Sequence, residues 1–239
     1  MSSASSSRRR SRASLVACLA LALLALTGGE RAGAATGVVP AAGHIEWAQV
    51  AVRARPDRSA RRIDLLTQFR DDFRPRVVLA VGVRRDATGR PAWYRLSLPG
   101  RPNGRTGWVP AASVTLTPVT KTIVIDRSAR TLQLRSRGRV VLETRVAVGA
   151  PGMETPLGRF YVQAKFRPTA PVLGAYGFET SAYSKLSEWP GGGIVGIHGT
   201  NAPWLLGRAV SHGCIRVAND AILRLRDLVP VGTPIEIVA

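Results

Sequence analysis

The sequence predicts a mainly β protein with one principal helix close to its C-terminal end, and three observations predict it. From about residue 44 onward, apolar residues occur in short runs or alternate with polar ones, which is the period of a strand. Gly, Pro and Asn-Gly signals break those runs at short intervals. Only "AILRLRDLV", following Asn219 and Asp220, reads as a helix: Ile222, Leu223, Leu225 and Leu228 share one side, and Asn219 or Asp220 is the expected N-cap.

The first element, residues 1–34, has the form of a signal peptide. Arg8, Arg9, Arg10 and Arg12 precede the 12-residue apolar run Leu15–Leu26, and small residues follow around Ala32-Gly33-Ala34. Twelve residues fall short of the roughly 20 a membrane-spanning helix needs, so a membrane association is expected only through an uncleaved signal. Cys18 sits at the start of the apolar run, whereas a lipidated cysteine would follow it. Cleavage after Ala34 would leave 205 residues, enough for a substantial core, with Cys214 as the one remaining cysteine. Five arginines and one glutamate lie before that point, so the net charge would fall from +19 to +15. The expected location is the wall or periplasm-like space outside the membrane, where anionic wall polymers are the natural counter-charges. There is no basic patch interleaved with aromatics of the kind that binds single-stranded nucleic acid.

Residues 35–43 read as a small-residue linker, and 44–117 as a small β unit containing "RVVLAVGV", "AWYRLSL" and "PNGRTGWVPAASV". The stretch "AWYRLSLPGRPNGRTGWVPAASV" resembles the closing part of a bacterial SH3-like barrel. Its Trp93, Tyr94 and Trp108 fit either a core or a ligand groove. From Lys121 the alternation sharpens in "TIVIDRSARTLQLRSRGRVVLETRVAVG", followed by "TPLGRFYVQAKF", a bend at Gly191–Gly193, the strand "GIVGIHGT", the helix and a closing strand "GTPIEIV".

The chemistry concentrates in two places. Of three histidines in the chain, His198 ends an apolar strand and His212 lies in "SHGCIRV" beside Cys214. A free thiol is only about 3% thiolate at pH 7, so pairing with an imidazolium raises the reactive fraction by at most about 30-fold. Most of an acyl-transfer rate must then come from positioning and from donors aimed at a developing oxyanion. Residues 211–214 offer such donors: the expectation is Cys214 as nucleophile, His198 as its base, and the backbone N–H groups of His212, Gly213 and Cys214 as the oxyanion site. No Asp or Glu adjoins His198, so a backbone carbonyl such as that of Gly199 is the expected orienting acceptor. Zinc held by His198, His212 and Cys214 is the weaker alternative, because no second Cys or carboxylate pair lies nearby, and no metal or other cofactor is expected.

The segment "IHGTNAPWLLGRAVSHGCIRVAND" closely resembles the signature of YkuD-type L,D-transpeptidases, and "TPLGRFYV" and "GAYGFETSAYS" are similar to other parts of that family, so the likeness spans about Lys121 to Ala239. The resemblance implies a YkuD-like β-sandwich catalytic domain over 121–239, preceded by the SH3-like module. It implies acyl transfer on peptidoglycan: a cysteine attacks the carbonyl of the third stem residue, expels D-alanine, and passes the acyl group to an amine of another stem or a wall protein. On that likeness Cys214 is the nucleophile, His198 the base, and His212 and Gly213 line the oxyanion site. Ser211, Arg216, Gly199, Thr200, Tyr176 and Ser184 are then expected around the substrate. Val217 stands where Met is frequent in the family. Hydrolysis of the same acyl-enzyme, and a non-catalytic wall-binding module, remain the rival readings. A papain-like peptidase would place Cys before His, and a sortase would place its Arg farther beyond the cysteine.

Overall fold

The computed structural model describes residues 37–188 and 191–239; the expected signal peptide lies outside them. Strands β1 (Ala41–Ile45), β2 (Gln49–Arg53), β3 (Arg62–Thr67), β4 (Val77–Arg85), β5 (Pro91–Ser97), β6 (Thr106–Pro110) and β7 (Val114–Pro118) form one sheet. Its order is β3-β2-β6-β5-β4-β1-β7, and every neighbouring pair is antiparallel. The ladder is open at β3 and β7, so hydrogen bonding does not close it into the barrel that the SH3-like resemblance implied. Val50, Val52, Tyr94, Leu96 and Val109 share its core, as strand alternation requires. Tyr94 is fully buried, whereas Trp93 and Trp108 are only half-buried.

Strand β1 starts at Ala41, inside the stretch 35–43 that was expected to be a linker. Its small residues, which read as linker by composition, are what lets this strand lie between β4 and β7 and pair with both.

The second sheet contains β8 (Lys121–Asp126), β9 (Thr131–Ser136), β10 (Arg139–Arg145), β12 (Gly158–Phe166), β13 (Gly177–Tyr183), β14 (Ile194–His198), β16 (Ile215–Arg216) and β17 (Pro234–Val238). Two short strands, β11 (Val148–Gly149) and β15 (Ala209–Ser211), pair in parallel beside it. The long ladder runs β10-β9-β8-β17-β12-β13-β14-β16. Residues from its two ends, such as Leu132 and Leu134 of β9 and Ile197 and Ile215 of β14 and β16, belong to one buried cluster. The sheet therefore bends over its own core, giving the expected sandwich.

Helix α1 (Asn219–Leu228) inserts Ala221, Ile222 and Leu225 into that core, with Leu228 packed against its margin. Neither expected cap operates: the N-cap position is Ala218, with no side-chain cap hydrogen bond.

The two sheets meet through side chains. Tyr161 of β12 packs with Ala42, Val77 and Leu79 of the first module, and Arg70 pairs with Glu179 on β13. No helix among the described residues is long and apolar enough to cross a membrane.

Candidate active site

Strand pairing assembles the site. β14 and β16 run parallel with Ile197 opposite Ile215 and His198 opposite Arg216. Both isoleucines are fully buried, so by alternation His198, Gly196, Cys214 and Arg216 share the other face. Gly196 lies between the two reactive groups. A Cβ placed on it would be 3.6 Å from His198 Cδ2 and 3.9 Å from Cys214 Sγ. The thiol accepts the Gly196 N–H at 3.4 Å rather than pairing with the ring.

The His198 ring is almost completely buried and its Nδ1 is 2.6 Å from the Gly199 carbonyl oxygen. A carbonyl only accepts, so Nδ1 carries the proton and the neutral ring keeps Nε2 as its acceptor. Burial pushes the imidazole pKa down, while the carbonyls of Gly199 and Leu173 oppose that shift by favouring the protonated ring; the Arg216 charge lowers it further. Burial likewise pushes the Cys214 thiol up, offset by the Gly196 N–H and by Arg216. The resting pair is therefore a neutral thiol beside a neutral imidazole, which calls for proton transfer during attack.

The loop bearing Cys214 is held from inside. Ser211 Oγ donates to the Cys214 carbonyl at 2.6 Å and accepts the Gly213 N–H at 3.2 Å. The Gly213 amide, expected among the oxyanion donors, is thus engaged by Ser211 Oγ. Gly213 also supplies the φ of +113° that the turn requires. Thr155 Oγ1 accepts the Gly149 N–H and donates to the Gly213 carbonyl, both at 2.9 Å. Thr155 was not singled out from the sequence, although it opens the quoted "TPLGRFYV".

Several residues expected around the substrate make contacts within the protein. Ser211 is 1% exposed and Thr200 2%, with the Thr200 hydroxyl accepting the Ala202 N–H. Gly199 donates its N–H to the Tyr176 carbonyl, and Tyr176 packs edge-on against Phe178 beneath the Arg226 guanidinium. Arg216 exchanges two backbone hydrogen bonds with Ala147 at 2.9 Å, and its buried Nε has no partner. His212 is exposed at the loop tip, and Ser184 is buried against Gly213.

Asn219 is the residue that sequence reasoning placed wrongly. Its Oδ1 accepts the N–H groups of Ala175 (3.0 Å) and Thr200 (3.2 Å), and its Nδ2 donates to the Thr200 carbonyl (3.1 Å). The carboxamide thus ties the start of α1 to the turn after His198 and to the turn that leads into β13. A Cβ on Gly174 or Gly199 would lie 2.3 or 2.2 Å from Oδ1, so only glycine fits at either position.

Residues 120–237 match the family model described as YkuD, the L,D-transpeptidase catalytic domain. The Bacillus subtilis (strain 168) protein named as L,D-transpeptidase YkuD is 36% identical over 115 residues, covering 48% of this chain and 64% of that one. L,D-transpeptidase 1 of Mycobacterium tuberculosis is 32% identical over 128 residues, covering 48% of this chain and 49% of that one. The chain therefore spans about half to under two thirds of the length of these relatives. A crystal structure of an L,D-transpeptidase from Mycobacterium tuberculosis H37Rv superposes with a TM-score of 0.46 at 18% identity, covering 69% of this chain and 90% of the other. By its match over residues 120–237, the chain carries a catalytic domain of the YkuD L,D-transpeptidase family.

Proposed function

We propose that the protein is a peptidoglycan L,D-transpeptidase working through a Cys214 thioester. The observation that carries this reading is the placement of Cys214 and His198 on one face, on either side of Gly196, with His198 Nδ1 committed to the Gly199 carbonyl. His198 Nε2 takes the thiol proton as Sγ attacks the carbonyl of the third stem residue. The amide bond to the terminal D-alanine breaks, and the same proton goes to the departing amine. An amine of another stem or of a wall protein then attacks the thioester, its proton passes to the imidazole, and the thiol is restored. The backbone amides of Cys214 and His212 are the donors assigned to the oxyanion, and Arg216 supports the negative charge as it moves from sulfur to oxygen. The work is assigned to the outer face of the membrane, where a basic chain suits an anionic wall.

Intact-mass measurement with a disaccharide tetrapeptide tests this. The expected result is an adduct on the unmodified protein that is absent from Cys214→Ala, with cross-linked dimer among the products. Release of trimmed monomer alone would indicate that water is the acceptor. Turnover that survives alkylation of Cys214 would overturn the mechanism.

A further inference from the structure

The first module reaches into the catalytic domain beside the Cys214 loop. The turn between β5 and β6 projects Arg101 and Asn103 across the junction. Arg101 donates to the carbonyls of Gly192 (3.0 Å) and Ser184 (2.9 Å) and stacks its guanidinium 5.0 Å from the centre of the Tyr183 ring. Asn103 exchanges two hydrogen bonds with the Tyr183 backbone, at 2.7 and 3.0 Å. A Cβ on Gly193 would lie 2.6 Å from Arg101 Nη2, so the bend at Gly191–Gly193 accommodates this arginine.

Where the turn meets the end of β13 there is a cleft of about 640 Å³. Two of its lining residues, Ser184 and Thr155, are also in contact with the loop that carries Cys214. Ser184 Cβ lies 2.9 Å from where a Gly213 Cβ would be, and Thr155 Oγ1 holds the Gly213 carbonyl. The cleft therefore adjoins the residues that support the Cys214 loop.

The charge of the lining is one-sided. Arg101, Arg127 and Lys185 face a single carboxylate, Glu154. That carboxylate is held ionised, with a pKa of about 2, first by backbone N–H groups and then by Lys185. Arg127 spends one N–H on the Thr155 carbonyl, and Arg101 has further donors beyond the two already used. Lys185, 74% exposed, reaches Glu154 at 3.1 Å and can exchange that partner for another carboxylate. Tyr183 and Leu157 add apolar wall to the same cleft.

We infer that this cleft, closed on one side by Arg101 of the first module, binds a carboxylate-bearing arm of the peptide whose acyl group is presented to Cys214. The inference rests on the acyl-transfer reading for the direction of the peptide. It is tested by binding alone, on the full chain carrying Cys214→Ala. Calorimetric titration compares a tetrapeptide stem with free carboxylates against the same peptide with carboxamides in their place.

The expected result is about ten-fold tighter binding of the acid. That preference should fall towards unity when Lys185→Glu is added, and should also fall with Arg101→Gln. Equal affinities for the two peptides, no binding of either, or a preference that both substitutions leave intact would overturn the cleft assignment. The two readings fail separately. Adduct formation on the unmodified protein without any acid preference removes the cleft alone, whereas an acid preference without an adduct removes acyl transfer alone.

Discussion

Replacing Asn219 with alanine should loosen the site without touching a reacting atom. The substitution removes three hydrogen bonds, two accepted from Ala175 and Thr200 and one donated to Thr200. At about 1 kcal/mol net for each neutral bond the loss would be about 3 kcal/mol, and water reaching this exposed position should return part of it, leaving about 2 kcal/mol. For a chain of this size, that corresponds to a melting temperature lower by roughly 4–8 °C. The functional effect should exceed the effect on folding, because the turn from His198 to Thr200 carries the Gly199 carbonyl that orients the imidazole. Acylation of Cys214 by a tetrapeptide, followed by intact mass at a temperature where the variant is fully folded, should slow by roughly ten-fold or more. Asn219→Asp keeps both acceptor contacts but sets a carboxylate against the Thr200 carbonyl, so it should rescue only in part. An Asn219→Ala protein with unchanged melting and acylation would refute the reasoning.

The remaining predictions concern the reactive pair and the module junction. Because burial holds His198 low and Cys214 high, the acid limb of acylation should have its midpoint below about 6.5, activity being lost only when the ring protonates. Iodoacetamide should modify Cys214 more slowly at pH 7 than it modifies free cysteine; fast alkylation at neutral pH would contradict the assigned resting state. Gly196→Ala makes only ordinary contacts, the nearest at 3.5 Å, so it should fold, yet its methyl between ring and sulfur should lower the acylation rate by roughly ten-fold or more. Tyr161→Ala opens the shared cluster with Val77 and Leu79 and should cost about 3–5 kcal/mol in urea denaturation, whereas Tyr161→Phe, losing one 3.4 Å hydrogen bond, should cost less than about 1 kcal/mol.

Much of the fold was legible because strands advertise themselves locally. The alternation in β8 and β9 buries Ile123, Ile125, Leu132 and Leu134, as a period of two demands. The helix was legible for the same reason, its apolar side being written over ten residues. Its cap was not. Asn219 has the chemistry of an N-cap, and nothing in its neighbours reveals that residues 175 and 200 will come close enough to claim its carboxamide. The start of β1 was hidden likewise, since Ala41-Ala42-Gly43 reads as linker until two strands flank it.

Residue types and spacing along the chain determined which chemistry this protein could carry: a thiol, an imidazole sixteen positions earlier, and a tight turn between small residues. Only the tertiary structure decided how those groups are used. The register of β14 on β16 puts Gly196 between ring and sulfur, Ser211 claims the Gly213 amide, and a turn of the first module closes a charged cleft behind the loop. The physical reason is that side-chain chemistry is a local property, whereas desolvation and hydrogen-bond partnership depend on groups brought together from distant parts of the chain.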